Sequence, residues 1–234
     1  MTDYHDDIVQ GLLKAARDDN HMVRSAAVRA LGRIQDAAAI PVLLLALRDK
    51  SGFVHDFAVG ALSGMNDPRI PPAMMERLND QDSDVRRAAA AVLGATKHAE
   101  AVPALIERLN DDVESVGHAA AQALGQIKDA AAVPALVAVL AGSHLDWSMC
   151  IYAAQALSAI GDAEGTSAII DALRLRWDPV PGMNTTPPVR KNLIEALVQL
   201  GDRAVPDLLK ALSDDDIKVR HGAVEALGHI AGTA

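Results

Sequence analysis

The stretch "VRHGAVEALGHI", Val219 to Ile230, brings His221 and His229 close to Arg220 and Glu225. Imidazole and carboxylate groups together are the donor set of a non-haem metal site and the working parts of acid–base catalysis. Elsewhere His118 stands in a similar setting of small apolar residues, and one thiol, Cys150, precedes a run of alanines. A lone cysteine excludes an internal disulfide and a cysteine-based zinc site. The chain has no nucleophile–base pair, glycine-rich phosphate loop or CxxC. Whether the histidines mark a site depends on whether their setting occurs once or many times.

It occurs seven times. Taking the leucine of each "AL" or "VL" pair as anchor gives Leu31, Leu62, Leu93, Leu124, Leu157, Leu197 and Leu227, spaced by 31, 31, 31, 33, 40 and 30 residues. Around each anchor the apolar residues keep helical spacing. Val23, Ala26, Ala27, Ala30, Leu31 and Ile34 form one stripe. Eleven residues before the anchors stand Asn20, Ser51, Asp82, Val113, Asp146, Thr186 and Asp216, of which six are good N-cap types. Five residues after most anchors comes a turn column, Asp36, Asp67, Asp129, Asp162 and Asp202, with His98 the exception. A second helical segment follows, with a proline near its start (Pro41, Pro72, Pro103, Pro134, Pro206), where a missing N–H costs least. Each unit is a helical hairpin that cannot bury its own apolar faces, and stacking the units buries them.

The pattern "DxxVRxxAAxALGxI.DxxAVPALxxxL" resembles the HEAT-like repeats of the phycobilisome-lyase type, from about Ile8 to Ile230. The resemblance implies an all-α solenoid of about seven hairpins in a right-handed superhelix. Its first helices (A) would be convex, and its second helices (B), carrying "VRxxAAxALG", concave. The expected organisation is one domain over residues 1–234, with repeats at about 4–34, 36–65, 67–96, 98–127, 129–160, 162–200 and 202–231.

One branch of this family, the deoxyhypusine hydroxylases, holds two irons through His-Glu pairs near the start of its concave helices. At the matching positions only His118 and His221 are histidines, and neither is followed by Glu. Two histidines about three repeats apart do not share one ion unless the superhelix curls sharply. The reading is therefore no metal, no cofactor and no catalytic residue.

The resemblance points B-helix positions six and two before the anchor, and two after it, into the groove. The expected partner-binding residues are Arg29, Arg33, Arg87, His118, Gln122, Gln155, Lys191, Glu195, His221 and Glu225. Their charges are mixed and graded, from arginine at the first repeat to glutamate at the last. That suits a protein or peptide, with charge setting orientation. The two widened A–B turns hold the only tryptophans, Trp147 and Trp177, an expected edge contact to a partner, and a second copy is expected through the terminal repeat or the 174–190 loop. The arginine column Arg24, Arg86, Arg190 and Arg220 reads as ties to Asp or helix-end carbonyls between repeats. The acidic runs "NDQDSD", "NDDVES" and "SDDDIK" read as solvated loops and caps.

Composition narrows the function classes. A formal charge of −9 disfavours general nucleic-acid binding, which needs cations to displace phosphate counterions. A polar, acidic N-terminus and the absence of a long apolar run point to a cytoplasmic protein without a membrane span. The expected function is a non-enzymatic scaffold or adaptor. The alternative that the resemblance implies is a bilin-lyase-like subunit or chaperone of a cofactor protein.

Overall fold

The computed structural model describes residues 4–142, 147–174 and 189–232. The chain is all-α. It divides into two compact units, residues 1–104 and 105–234, with the boundary inside one helix.

The first unit contains α1 (His5–Ala15), α2 (His21–Ile34), α3 (Ile40–Ala46), α4 (Gly52–Gly64), α5 (Ile70–Arg77) and α6 (Ser83–Ala95). The B helices α2, α4 and α6 pack side by side, and α1, α3 and α5 each lie on the B helix that follows. The anchors Leu31, Leu62 and Leu93 are fully buried, with Leu43, Ile70 and Met74 from the A helices among the neighbouring core residues. This is the amphipathic stripe expected from the spacing.

After α7 (Val102–Arg108), which crosses the boundary, the second unit contains α8 (Glu114–Ile127), α9 (Val133–Gly142), α10 (Trp147–Ile160), α11 (Ala163–Ala172), α12 (Val189–Leu200), α13 (Val205–Ala211) and α14 (Ile217–Gly232). Here α8, α10, α12 and α14 form the B row and α9, α11 and α13 the A row.

The close approach of B helices depends on small residues one position after the anchor. A Cβ on Gly32 would sit 2.7 Å from that of Ala61, and one on Gly125 would sit 2.9 Å from the Ala156 Cα. In the same column Ser158 donates to the Ala196 carbonyl at 2.7 Å.

The turns are built largely as the sequence suggests. Asn20, Asp82 and Asp216 accept the N–H two residues on and cap α2, α6 and α14. Ser51 stands at the N-cap of α4 without a side-chain cap bond. Asp146 and Thr186 lie outside the described residues. Asp36, Asp129 and Asp162 accept from Ala38, Ala131 and Glu164. Asp36 and Asp129 cap short 3-10 turns, Ala37–Ala39 and Ala130–Ala132, that lead into the A helices. The spacing did not anticipate these lead-ins. Asp202 departs from its column, lying within the 3-10 turn Gly201–Arg203, which begins with Gly201 at φ 58°.

Candidate functional site

The arginine column sits where each B helix begins. Arg24 Nη1 donates to the carbonyls of Asp18 and Asp19, both at 2.9 Å. Its Nε and Nη2 clasp the Asp49 carboxylate of the next repeat at 2.7 and 2.8 Å. Arg86 and Arg220 repeat the first half of this geometry, their Nη1 atoms reaching the carbonyls of Asp80 and Gln81, and of Asp214 and Asp215. His55 fills the slot in the second repeat, its buried ring donating from Nδ1 to the Leu47 carbonyl at 2.9 Å. In the fourth repeat it is filled by Gly117, because a Cβ there would meet the Leu109 carbonyl at 3.0 Å. In the fifth it is filled by Cys150, fully buried.

Asp82 and Asp216 of the acidic runs are caps as expected, but other acids near these turns are not solvated. Asp49, Asp80, Asp111 and Asp214, thirteen residues before their anchors, are largely buried carboxylates and not solvated loop charge. Each accepts a backbone N–H two residues on, from Ser51, Asp82, Val113 and Asp216. Arginines from the preceding repeat close on three of them: Arg24 on Asp49, Arg48 on Asp80, and Arg174 on Asp214 at 2.7 and 2.5 Å. The Arg24 guanidinium holds the Asp49 carboxyl below its ordinary range. For Asp214 the backbone N–H of Asp216 is the larger cause and Arg174 the next. The 31-residue recurrence of Asp18, Asp49, Asp80 and Asp111 was the available signal.

The expected partner-binding residues lie on the B helices and are exposed or half-buried. In the first unit Arg29 stands 5.4 Å above the ring of Phe57, and Arg33 is exposed. Arg87 reaches Asp84 at 3.3 Å and donates to His55 Nε2 at 3.4 Å.

In the second unit His118 stacks on Tyr152, with ring centroids 4.5 Å apart, and hydrogen-bonds Ser148 Oγ at 3.0 Å. Gln122 and Gln155 are exposed. Lys191 pairs with Glu195 at 3.5 Å. Arg190 joins His221 and Glu225, donating to His221 Nδ1 at 2.5 Å and to Glu225 Oε2 at 2.9 Å. Tyr152, Phe57 and Arg190 are thus part of this surface, although the groove rows omitted them. The ring residues stand five before the anchor, where the other repeats carry Ala26, Ala88, Ala119, Asn192 and Gly222.

His221 and Glu225 approach to 3.9 Å, but a guanidinium lies between them. A cation in that place repels a metal ion and neutralises the carboxylate. Among the described residues, no three His, Cys, Asp or Glu side chains converge as metal ligands would. No helix among them is long and apolar enough to cross a membrane.

Trp147 opens α10 and is 37% exposed. Trp177, with most of the 174–190 loop, lies outside the described residues.

The family profile of the HEAT repeats matches residues 3–63, 41–123, 70–147, 114–181 and 183–234. No curated protein sequence matches. Among solved structures, the X-ray structure of Escherichia coli YibA is 25% identical, covering 95% of this chain and 82% of that one, at a TM-score of 0.55. The complex of CpcE and CpcF of phycocyanin lyase from Nostoc sp. PCC7120 is 21% identical, with coverage of 97% and 94% and a TM-score of 0.43. An engineered protein is 23% identical over 97% of both chains, at a TM-score of 0.46.

Proposed function

This chain belongs to the HEAT-repeat family, and we propose that it is a non-enzymatic scaffold that binds a protein or peptide on the face formed by its B helices. Repeat arrays of this kind present extended surfaces whose exposed positions change from repeat to repeat while the stacking positions stay fixed. The observation that supports the reading is this division within each B helix. The anchors Leu31, Leu62, Leu93, Leu124, Leu157 and Leu197 are buried. Most positions six and two before the anchor carry side chains that reach solvent and differ in charge: Arg29, Asp56 and Arg87 in the first unit, and Gln122, Gln155, Lys191, Glu195 and Glu225 in the second.

Exposed Arg29 and Arg33 would meet acidic groups of the partner, and Gln122 and Gln155 its backbone amides. Charge at such sites steers encounter and orientation more than it adds affinity. Trp147 and Trp177 would supply a second contact at the edge, since tryptophan is enriched among residues whose truncation costs binding most.

Capture from native extract with the purified chain as bait, followed by calorimetric titration of the recovered polypeptide, tests the proposal. Arg87→Glu and Lys191→Glu should each lower affinity several-fold without unfolding the protein, because substitutions at positions that reach solvent move stability little. Unchanged affinity in both variants would move the binding surface off the B helices. Recovery of a bound tetrapyrrole absorbing visible light, in place of a polypeptide, would overturn the scaffold reading.

A further inference from the structure

One stripe of each B helix faces the next repeat. It comprises positions seven and three before the anchor and one after it. In α2 these are Arg24, Val28 and Gly32: Arg24 clasps Asp49, Val28 is fully buried, and Gly32 receives Ala61. In α14 the same positions are Arg220, Val224 and Gly228. There Val224 is 60% exposed, against 0% at Val28, Ala121 and Ala154. Gly228 has no described atom within 4 Å of where a Cβ would stand. Arg220 binds the two turn carbonyls through Nη1 alone, whereas the Nε and Nη2 of Arg24 hold a carboxylate. Leu212 is 37% exposed, although its counterparts Leu47, Leu140 and Leu173 are at 1%.

The complementary stripe, facing the preceding repeat, comprises positions eight, five and one before the anchor. At the first repeat these are Val23, Ala26 and Ala30. Val23 is 40% exposed, where Val54, Val85 and Val219 are at 0%. Ala30 occupies the column of Ala61 and Ala156, the residues that fill the glycine columns of their neighbours. Asp18 occupies the column of Asp49. It accepts the Asn20 N–H as Asp49 accepts that of Ser51, but among the described residues no arginine hydrogen-bonds its carboxylate.

The two exposed ends are therefore the two halves of the chain's own repeat junction. We infer that the last repeat of one molecule receives the first repeat of a second copy. Arg220 then clasps the partner copy's Asp18, and Gly228 admits its Ala30. Val224 and Leu212 are covered by the apolar residues of the incoming repeat. The contact is head-to-tail, so each copy keeps one open end and association continues beyond a dimer or closes into a ring. It uses a different stripe of the B helices from the partner surface proposed above and stands independently of it.

Sedimentation velocity across a concentration series tests this. The wild-type chain should show a mass that rises with concentration and falls with added salt. Asp18→Arg sets like charge against Arg220 and blocks the first end. Gly228→Trp fills the open column and blocks the last end. Each variant alone should be monomeric at concentrations where the wild type associates, with unchanged circular dichroism. Mixed, they should form a 1:1 dimer and nothing larger, because one open end of each kind remains. In a single chain, Asp18→Arg with Arg220→Glu should restore association by reversing the pair. A monomeric wild type up to millimolar concentration overturns the inference. So does either blocked variant self-associating as the wild type does, because the interface would then lie elsewhere.

Discussion

Single residues set how close two repeats come. Gly32 and Gly125 look like poor choices for helix interiors, where glycine costs about 1 kcal/mol relative to alanine. The facing Ala61 and Ala156 leave no room for a methyl group. Gly32→Val should therefore destabilise the chain by about 1–3 kcal/mol in chemical denaturation through overpacking. Gly228→Ala, with no described neighbour, should be neutral or stabilising by up to about 1 kcal/mol. Equal effects at the two sites would show that the column does not carry the junction.

Carboxylates set the acid limit. Asp36, Asp49, Asp67 and Asp214 are all held below the ordinary aspartate range, Asp67 at about 2 through Arg69. In the unfolded chain they titrate near pH 4. A lowered native pKa contributes stability above the unfolded value, and that stability is lost as pH falls through the native one. Thermal stability should thus hold from neutral pH to about pH 4 and fall between about pH 4 and pH 2. Asp49→Asn should flatten that fall; an unchanged acid profile would mean that the clasp contributes nothing.

At the scale of helices, the anchors decide. Leu93 is fully buried, and Leu93→Ala should cost about 2–5 kcal/mol by the transfer and cavity terms. Asn20→Ala, which removes the α2 cap, should cost about 0.5–2 kcal/mol. A cost near zero at Leu93, read from urea midpoints, would place it outside the core.

Helices and caps were legible because their determinants are local. A stripe at helical spacing, an Asn or Asp before it and a proline after the turn all fall within one window of sequence. The aspartates thirteen before the anchors were not legible in this way. Their arginines lie a repeat away, 25 residues for Asp49 and 32 for Asp80. Neighbouring acids made the runs look like solvated charge. The His118–Tyr152 stack was hidden for a similar reason, since each ring looks ordinary beside its own alanines and the pair forms only between α8 and α10.

At the scale of the molecule, the glycine–alanine contacts and the Arg24–Asp49 clasp use fixed offsets from an anchor leucine, so identity at those offsets matters more than overall sequence. The whole-chain reading could therefore recover the family and the repeat register. It could not recover which face is used, because the exposed positions are those that the register leaves unconstrained.

The clasp of Arg24 on Asp49 has one more consequence. It works by offset alone, and Asp80 stands at the same offset one repeat later. The chain can then be edited like a row of interchangeable cassettes. Excising residues 36–66 splices Gln35 to Asp67, brings Arg24 to Asp80 and sets Gly32 against Val92. The shortened protein should fold with the same ellipticity per residue at 222 nm and melt at a lower temperature. Excising four residues more or fewer breaks the offset and should leave the first hairpin undocked and sensitive to protease. The spacing of 31 thus acts as a reading frame in space, within which whole hairpins are gained or lost without redesign of their neighbours.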